Sequence, residues 1–441
     1  MGAAGAAALP AAAGLTHPCL LANPAGLELA KKRVAGEAWA RRILQDLEES
    51  AAGLENAPLP VFDREWWKEA SKKPWREIYP EVNLHTSSAV RNPISSMPDV
   101  AIAYALTGKA RYAALVRRVL LHYCEYPFVG VHPDLGMNWS GWCGAGLRAY
   151  DLVFDTLSAA DRDALDEFFE RAVKAILAND EDWLRGEYSA RFNNHHAHRK
   201  RFIGCYGIFY GRPEYVKYAI EAEEGFRDLV ENATRDDGLW HESSIHYHFT
   251  GAGPIAAFAA ELANAGHPFD LWNHRFANGR RVRDFLTAPV QTLFPDETIP
   301  AIGDTYGRRS KLRSTLYFDA FNANPGPVLG WVLRDAERPP AALFHKNLPQ
   351  GSFPAPPLKT RLWPEHGYLA LRTQEGAAYW KAEGYCAFLS FDEDGIHAHR
   401  DKLGLMVFGR GVHIAADVEA VSSARHAFSS RIQRELNRHT V

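Results

Sequence analysis

Apolar residues recur every three to four positions through the first three quarters of the chain, which is the pattern of amphipathic helices. The clearest stretches are residues 27–50, 99–124, 144–178, 213–234 and 252–265. Ser158 followed by Asp161 is a capping signal for one of these helices. Three predicted helix–turn–helix joints contain a glycine, at Gly108, Gly211 and Gly266, and these glycines lie 103 and 55 residues apart. Such separations approximate two repeats and one repeat of ~50 residues, which is typical of stacked helical hairpins.

Proline and glycine cluster in residues 325–364, and we expect this segment to be a linker without regular helix. Beyond it, short β-rich runs predict strands at residues 367–373, 385–391, 403–409 and 412–415. The predicted fold class is α+β multidomain: an N-terminal (α/α) toroid at residues 17–324, then an antiparallel β-sandwich domain starting at residues 365–441. Four or five strands ending at Val441 would leave an open edge, so we expect this β-domain to be truncated.

Composition indicates a globular protein, with 46% hydrophobic and 23% charged residues. The net charge of −3 gives no global preference for nucleic acid, so an anionic ligand would need a local cluster of basic or polar groups. Neither a membrane-spanning apolar run nor CxxC spacing among the five cysteines occurs. Residues 2–14 are small and apolar, and we expect residues 1–16 to be a disordered segment or the remnant of an export signal.

The first candidate site is the segment RFNNHHAHR at residues 191–199. Adjacent amides at Asn193 and Asn194 precede three imidazoles, and two arginines flank them. Amide and imidazole N–H groups can hold a carboxylate, so the segment is a candidate carboxylate receptor. A solvated surface loop is the alternative interpretation.

The second candidate site is the segment at residues 236–248. His241 and His246 are five positions apart, which excludes the HExxH zinc protease motif because that motif needs a spacing of four. Tyr247 lies between His246 and His248, and positive charge on these imidazoles would lower the pKa of the phenol toward that of a base. A tyrosine packed in the toroid is the alternative.

The third candidate site is the segment at residues 394–417. His397, His399 and Asp401 alternate as on one face of a strand. A histidine on one strand and an aspartate on the next could supply nitrogen and oxygen ligands for zinc. Salt-bridged surface residues are the alternative.

Together these segments resemble the heparinase II/III-like polysaccharide lyases, a family that includes alginate and oligoalginate lyases. The motifs that carry the resemblance are residues 394–403 with Gly409, Gly411 and Asp417, the Asn193–His195 run, residues 237–247, and Ala149–Asp151. The resemblance spans roughly residues 17–441. It implies a toroid followed by β-sandwich sheets, and cleavage of uronic-acid glycans by β-elimination.

The resemblance also implies catalytic roles. Asn194 and His195 match the groups that neutralise the uronate carboxylate, which acidifies the C5 proton and stabilises an enolate-like intermediate. Tyr247 matches the residue that removes this proton or protonates the leaving oxygen, and His397 matches its partner imidazole. Some alginate-acting members use a second tyrosine from the β-domain as the acid, but no tyrosine follows Tyr385. Tyr247 would then serve as base and acid, or His397 would share the work.

The same resemblance implies a structural Zn²⁺ in the β-domain, bound by His399 and Asp417, and no organic cofactor. His439 is the candidate third ligand, although it stands one position from the expected place. Arginine suits carboxylates and tryptophan suits sugar faces, and both types are well represented around the motifs. The candidate substrate-binding residues are Arg91, Asn92, Trp139, Trp142, Arg148, Arg191, His198, Arg199 and Glu242.

The sequence therefore predicts a polysaccharide lyase whose partner is an acidic polysaccharide or oligosaccharide, without nucleic acid or membrane. A homodimer is compatible with it, and an export remnant predicts a periplasmic or secreted protein. One alternative is a glycoside hydrolase on the same toroid, using two carboxylates from Asp236, Asp237 and Glu242. The other is a non-catalytic protein that binds acidic glycans.

Overall fold

The computed structural model describes residues 16–186, 191–235, 237–305, 310–312, 315–381, 383–391, 397–398 and 403–416. Two compact units make up the chain. The first unit consists of Met1–Asp228, Ala257–Leu271 and Arg338–Lys346, and the second unit of Leu229–Ala256, Trp272–Glu337 and Asn347–Val441. The predicted terminal segment lies outside the described residues, apart from Thr16.

Helices account for most of the described chain up to residue 333, as the apolar periodicity predicts. In chain order they are α1 Pro24–Gly36, α2 Ala38–Leu54, α3 Arg64–Ala70, α4 Trp75–His85, α5 Ser88–Ser95, α6 Met97–Thr107, α7 Ala110–Tyr123, α8 Leu135–Val153, α9 Ala159–Arg185, α10 Asn194–Phe209, α11 Pro213–Glu221, α12 Phe226–Asn232, α13 Ile245–Asn264, α14 Val282–Thr287, α15 Thr315–Ala323 and α16 Pro327–Leu333. Within the described residues, no helix has both the length and the apolar character needed to cross a membrane.

Local sequence signals explain where some helices begin and end. The hydroxyl of Ser158 accepts the N–H of Asp161 at 3.1 Å, and the Asp161 carboxylate accepts the N–H of Ser158 at 3.3 Å. This capping box starts α9 and confirms the predicted signal. Gly108 follows α6 with φ of +67°, a left-handed conformation that glycine adopts without a Cβ clash.

A buried carboxylate attaches the segment that precedes α1 to α8. Asp151 accepts the backbone N–H groups of Cys19 and Leu20 at 2.7 and 2.8 Å. Its other oxygen lies 2.7 Å from Nδ1 of His17. The carboxylate is therefore satisfied by hydrogen bonds within the first unit, and its place in the resemblance is a structural one.

The second unit contains a five-stranded antiparallel sheet in which every strand pairs with its neighbour in the chain. The strands are β1 Arg361–Trp363, β2 Tyr368–Arg372, β3 Tyr385–Ser390, β4 Gly404–Gly409 and β5 Val412–Ala415. Alternate residues such as Ala370, Phe388 and Met406 are paired across the sheet and buried. They pack in one core with Ile245 at the start of α13 and with Ile302. This core fixes two of the segments that form the candidate site.

The segment predicted to be a linker is more regular than expected. It contains α16 at Pro327–Leu333 and β1 at Arg361–Trp363. Pro327 stands at the start of α16, where its missing N–H costs no helical hydrogen bond, and Trp331 is buried. The proline cluster therefore marks a helix start as well as turns, and the expectation of a linker without helix is wrong for these residues.

All five cysteines lie within the described chain as free thiols.

Candidate active site

The two adjacent amides of the first candidate segment have different positions. Asn193 is the N-cap of α10, because its side-chain oxygen accepts the N–H of His195 at 2.9 Å. Asn194 is the first residue of the helix and is 3% exposed. Its Oδ1 has no hydrogen-bond partner among the described residues. Asn193 therefore has a structural role, and Asn194 carries an acceptor oxygen that a ligand hydroxyl could satisfy.

The imidazole of His195 packs flat on Trp183 in the first unit. The ring centroids are 4.5 Å apart and the planes differ by 18°. Its Nδ1 lies 3.8 Å from a carboxylate oxygen of Asp134. His198 is half-buried on the same helix. The stack fixes the orientation of the predicted carboxylate-binding imidazole.

A buried carboxylate, Asp180, holds the opposite face of α10. It lies 2.9 Å from Nδ1 of His196, accepts from Nζ of Lys200 at 2.6 Å, and lies 3.7 Å from a guanidinium nitrogen of Arg199. The phenol of Tyr218 also donates to it, at 2.9 Å. Burial alone would raise the pKa of Asp180, but the His196 hydrogen bond and the nearby cations outweigh it and lower the pKa. Arg199 is fully buried here, so its expected contact with substrate is wrong.

Two more of the predicted substrate-binding residues are structural. Arg148 has a side chain only 15% exposed and lies 3.4 Å from the buried carboxylate of Glu261, which also pairs with Arg201 at 2.6 Å. Trp142 is 2% exposed and packs against Tyr126 and other aromatic rings. Tertiary packing buries both side chains, so neither is available to a glycan. Their residue types alone had suggested a binding role.

The other two predicted substrate-binding arginines, Arg91 and Arg191, lie at the surface. Arg191 is exposed and lies 3.4 Å from Glu224, a buried carboxylate that also accepts the N–H of Phe192 at 2.6 Å. Arg91 and Asn92 are exposed on α5. These residues can reach a ligand, so their predicted role stays a prediction.

A cavity of about 370 Å³ opens in the first unit beside Trp183. Four aromatic side chains line it, those of Trp75, Phe128, Trp139 and Trp183, together with the imidazole of His132 and the polar side chains of Asn179 and Asp182. Burial lowers the pKa of His132, so this imidazole is neutral at pH 7. Because its Nδ1 accepts the N–H of Asp134 at 3.1 Å, the ring proton is on Nε2. Trp183 forms both a wall of the cavity and the stacking partner of His195, so cavity and imidazole are neighbours.

Tyr247 lies in the first turn of α13 in the second unit. Its N–H donates to the hydroxyl of Ser244 at 3.3 Å. Its ring stacks on the imidazole of His397, with centroids 3.4 Å apart and planes differing by 14°. The second unit thus brings together the predicted phenol and imidazole, which are 150 residues apart in sequence.

His248 does not supply the positive charge expected beside Tyr247. Its Nδ1 accepts the N–H of Trp240 at 3.0 Å, and its Nε2 lies 2.8 Å from the carbonyl oxygen of Phe285. Complete burial lowers the pKa of His248 to about 4, so the ring is neutral at pH 7. The expectation is wrong for this residue, and His397 is the imidazole in contact with the phenol.

Carboxylates face both ring nitrogens of His397. Nδ1 lies 2.9 Å from Oδ2 of Asp304, and Nε2 lies 3.6 Å from Oε1 of Glu242. The Glu242 side chain is fully buried, and its other oxygen accepts the indole N–H of Trp240 at 2.7 Å. Glu242 therefore contacts the imidazole of His397 and does not lie on an exposed substrate-binding surface, as its predicted role would require. Asp304 was missed by sequence analysis, because nothing near it in the chain suggests chemistry.

Two of the three carboxylates proposed for a glycoside hydrolase, Asp237 and Glu242, have buried side chains that contact histidines. Asp237 lies 2.6 Å from Nδ1 of His366, whose Nε2 is 3.0 Å from the carbonyl oxygen of Trp240. Burial would raise the pKa of Asp237, but the His366 hydrogen bond outweighs it and lowers the pKa. A general acid needs a raised pKa and access to the glycosidic oxygen, and neither Asp237 nor Glu242 meets both needs. Asp236 and the predicted zinc ligands His399, Asp417 and His439 lie outside the described residues.

Comparison with known proteins gives the class of the chain. The family described as alginate lyase matches residues 65–292, an interval that contains Asn194, His195 and Tyr247. The chain therefore belongs to the alginate lyase family.

An alginate lyase from Stenotrophomonas maltophilia (strain K279a) is 25% identical over 173 residues, which are 35% of this chain and 22% of that protein. The chain thus matches about a fifth of the length of this curated relative.

Solved structures share the fold. Heparinase III superposes with a TM-score of 0.53 at 15% identity, covering 92% of this chain and 66% of that one. The heparan sulfate lyase HepC from Pedobacter heparinus gives 0.51 at 16% identity, covering 94% and 67%. These matches and the helix-rich region followed by an antiparallel sheet confirm the predicted fold class and the family resemblance.

Proposed function

We propose that this protein is a polysaccharide lyase that cleaves a uronic-acid glycan by β-elimination. The observation that carries the proposal is the stacked Tyr247–His397 pair, bracketed by two carboxylates, in a chain of the alginate lyase family. The stack holds the phenol ring in one orientation, and a positioned phenol oxygen is what general acid–base catalysis requires.

In the proposed reaction, the family motifs assign the amide of Asn194 and the imidazole of His195 to the uronate carboxylate. Their N–H donors stabilise the negative charge that develops when the C5 proton leaves. Tyr247, as its phenolate, takes this proton and becomes a phenol, the bond between C4 and the bridging oxygen breaks, and a C4–C5 double bond forms. The proton then passes from Tyr247 to the leaving oxygen, so the phenol acts as base and acid. His397 holds the phenol ring in place.

The cavity beside Trp183 is the proposed binding site for one sugar ring. Aromatic walls with a few polar groups are typical of carbohydrate sites, and about 370 Å³ lies within the usual range for small ligands. Trp75, which is half-buried, would contact the apolar face of the ring, and the Nε2–H of His132 would face a hydroxyl. Trp139 is 1% exposed, so it supports the wall of the cavity from behind. The stack of Trp183 on His195 supports a position next to the carboxylate-binding residues.

Three further expectations remain proposals that rest on sequence. We propose a structural Zn²⁺ at His399 and Asp417, with His439 as third ligand, a periplasmic or secreted location, and a homodimer. Metal analysis of protein purified without added zinc tests the first, and substoichiometric zinc would contradict it. Fractionation of the native host and light scattering of purified protein test the other two.

Incubation with a panel of acidic glycans tests the function. The panel should contain alginate first, since the family and the curated relative carry its name, and then heparan sulfate, chondroitin, hyaluronan and glucuronan. β-Elimination creates an unsaturated uronate with ultraviolet absorbance, whereas a hydrolase creates reducing ends without it. Binding without either signal would indicate the non-catalytic alternative.

A further inference from the structure

The short loop Gly303–Thr305 in the second unit contacts His397 twice. The Asp304 carboxylate lies 2.9 Å from the imidazole Nδ1, and the Asp304 N–H donates to the backbone oxygen of His397 at 2.9 Å. His397 has φ of +65°, an unfavourable backbone conformation for a residue with a Cβ. One residue therefore binds both the ring and the strained backbone of His397.

The same loop also binds the segment that carries Tyr247. The hydroxyl of Thr305 lies 3.0 Å from that of Ser244, and Ser244 in turn accepts the N–H of Tyr247. Adjacent residues of one loop thus contact the imidazole and the cap of the helix that bears the phenol.

Gly303 permits this close approach. Its φ is +52°, and a Cβ at this position would overlap the backbone oxygens of Ser243 and His397. A glycine is therefore needed for the loop to lie against both segments at once.

We propose that Asp304 is a positioning residue for the stacked Tyr247–His397 pair. It fixes the rotation and backbone of His397 so that the imidazole lies flat on Tyr247. The inference rests on the proposed lyase function and deepens it. Asp304 is preferred over Glu242 for this role, because its oxygen is at hydrogen-bond distance from the ring and the Glu242 oxygen is 0.7 Å farther away. Asp304 acts through His397 and does not contact the glycan.

Misalignment of a catalytic group by about 1 Å can reduce turnover by about 10²-fold. We therefore expect Asp304→Ala to reduce kcat by about 10- to 100-fold while KM changes little. Asp304→Asn keeps an oxygen that can accept from Nδ1, so it should retain more turnover than the alanine variant.

A second aspartate of the same unit provides the matched control. Asp296 lies 3.2 Å from Nε2 of His413, so it also contacts a histidine of the second unit. We expect Asp296→Ala to leave kcat unchanged and to lower the unfolding midpoint at least as much as Asp304→Ala. Wild-type kcat in Asp304→Ala, or a loss of turnover that appears only as a rise in KM, would overturn the inference.

A spectroscopic readout separates this inference from the proposed function. The imidazole resonances of His397, identified by their absence in His397→Gln, should shift in Asp304→Ala and stay in place in Asp296→Ala. If wild-type protein eliminates none of the glycans, the lyase proposal fails. Unchanged His397 resonances in Asp304→Ala would overturn the positioning role whether or not the wild type is active.

Discussion

The two histidine clusters of the molecule are built in different ways. The cluster of the first unit lies on one helix, where His196, Arg199 and Lys200 share the face that contacts Asp180. The cluster of the second unit is assembled from three separate segments that carry Tyr247, Asp304 and His397. In the first cluster, the position of a residue around the helix decides whether it has a structural or a proposed catalytic role. In the second cluster, only tertiary packing brings the residues together.

The largest expected effect is in the second cluster. Tyr247→Phe should lose about 10²- to 10⁴-fold in kcat, because one phenol oxygen carries the proton, while glycan binding persists. Tyr317→Phe is the matched control, since the Tyr317 hydroxyl is buried in the same unit without a hydrogen-bond partner among the described residues. Steady-state kinetics on an active glycan measures both, and a Tyr247→Phe variant with more than about a tenth of wild-type turnover would contradict the role.

In the first cluster the largest effect should be on stability. Asp180→Asn leaves buried cations without their counterion, so we expect the free energy of unfolding to fall by about 3–5 kcal/mol. Urea unfolding measures the change. Glu181→Gln removes an exposed partner of Arg185 and should cost less than about 1 kcal/mol. Equal effects of the two substitutions would refute the distinction between the buried and exposed carboxylates.

Adjacent amides allow a sharper test within the first cluster. Asn194→Ala should reduce kcat by about 10²- to 10³-fold with little change in stability, because the amide stabilises developing charge. Asn193→Ala should do the reverse and cost about 1 kcal/mol of stability through loss of the helix cap. His195→Ala should reduce kcat in the same way as Asn194→Ala. A rise in KM without a fall in kcat would show that both residues bind the substrate and do not stabilise the transition state.

A buried imidazole of the second unit should make stability depend on pH. The pKa of His248 is about 4 in the folded protein and near 6.5 in the unfolded chain, so between these values only the unfolded chain binds the proton. The free energy of unfolding should therefore fall by about 1.4 kcal/mol per pH unit from this group as pH drops from 6.5 toward 4. Above pH 6.5 His248 is neutral in both the folded and the unfolded chain, so it does not lower the free energy of unfolding there. His248→Gln should remove it, and an unchanged slope of urea stability against pH would argue against the assignment.

The smallest expected effect concerns the cavity. Trp75→Ala removes one aromatic wall, and stacking contacts contribute about 0.5–1.5 kcal/mol, so KM should rise about 2- to 10-fold with kcat preserved. Titration of kinetics with oligosaccharides of increasing length measures this change. A KM that does not change for any chain length would place the sugar elsewhere.

Sequence patterns predicted much of the fold and part of the site. Strand β3 begins at the predicted residue, because its apolar alternation matches a sheet with one buried face. Arg148 was misassigned because its partner Glu261 lies 113 residues away and burial of a charge cannot be inferred from residue type. Asp304 was missed for the same reason: its contact with His397 spans 93 residues. Contacts of this kind depend on packing that no local pattern records.

Asp180 has an evolutionary consequence as well as a structural one. Three side chains of α10 and the phenol of Tyr218 depend on a single carboxylate, so drift at any one of these positions is constrained by the others. A lineage could replace the aspartate only by exchanging Lys200 or Arg199 at nearly the same time, because each single step passes through a chain with an uncompensated buried charge. Related sequences should accordingly show covariation between position 180 and positions 196, 199 and 200, with the carboxylate and its cations retained or lost as a group.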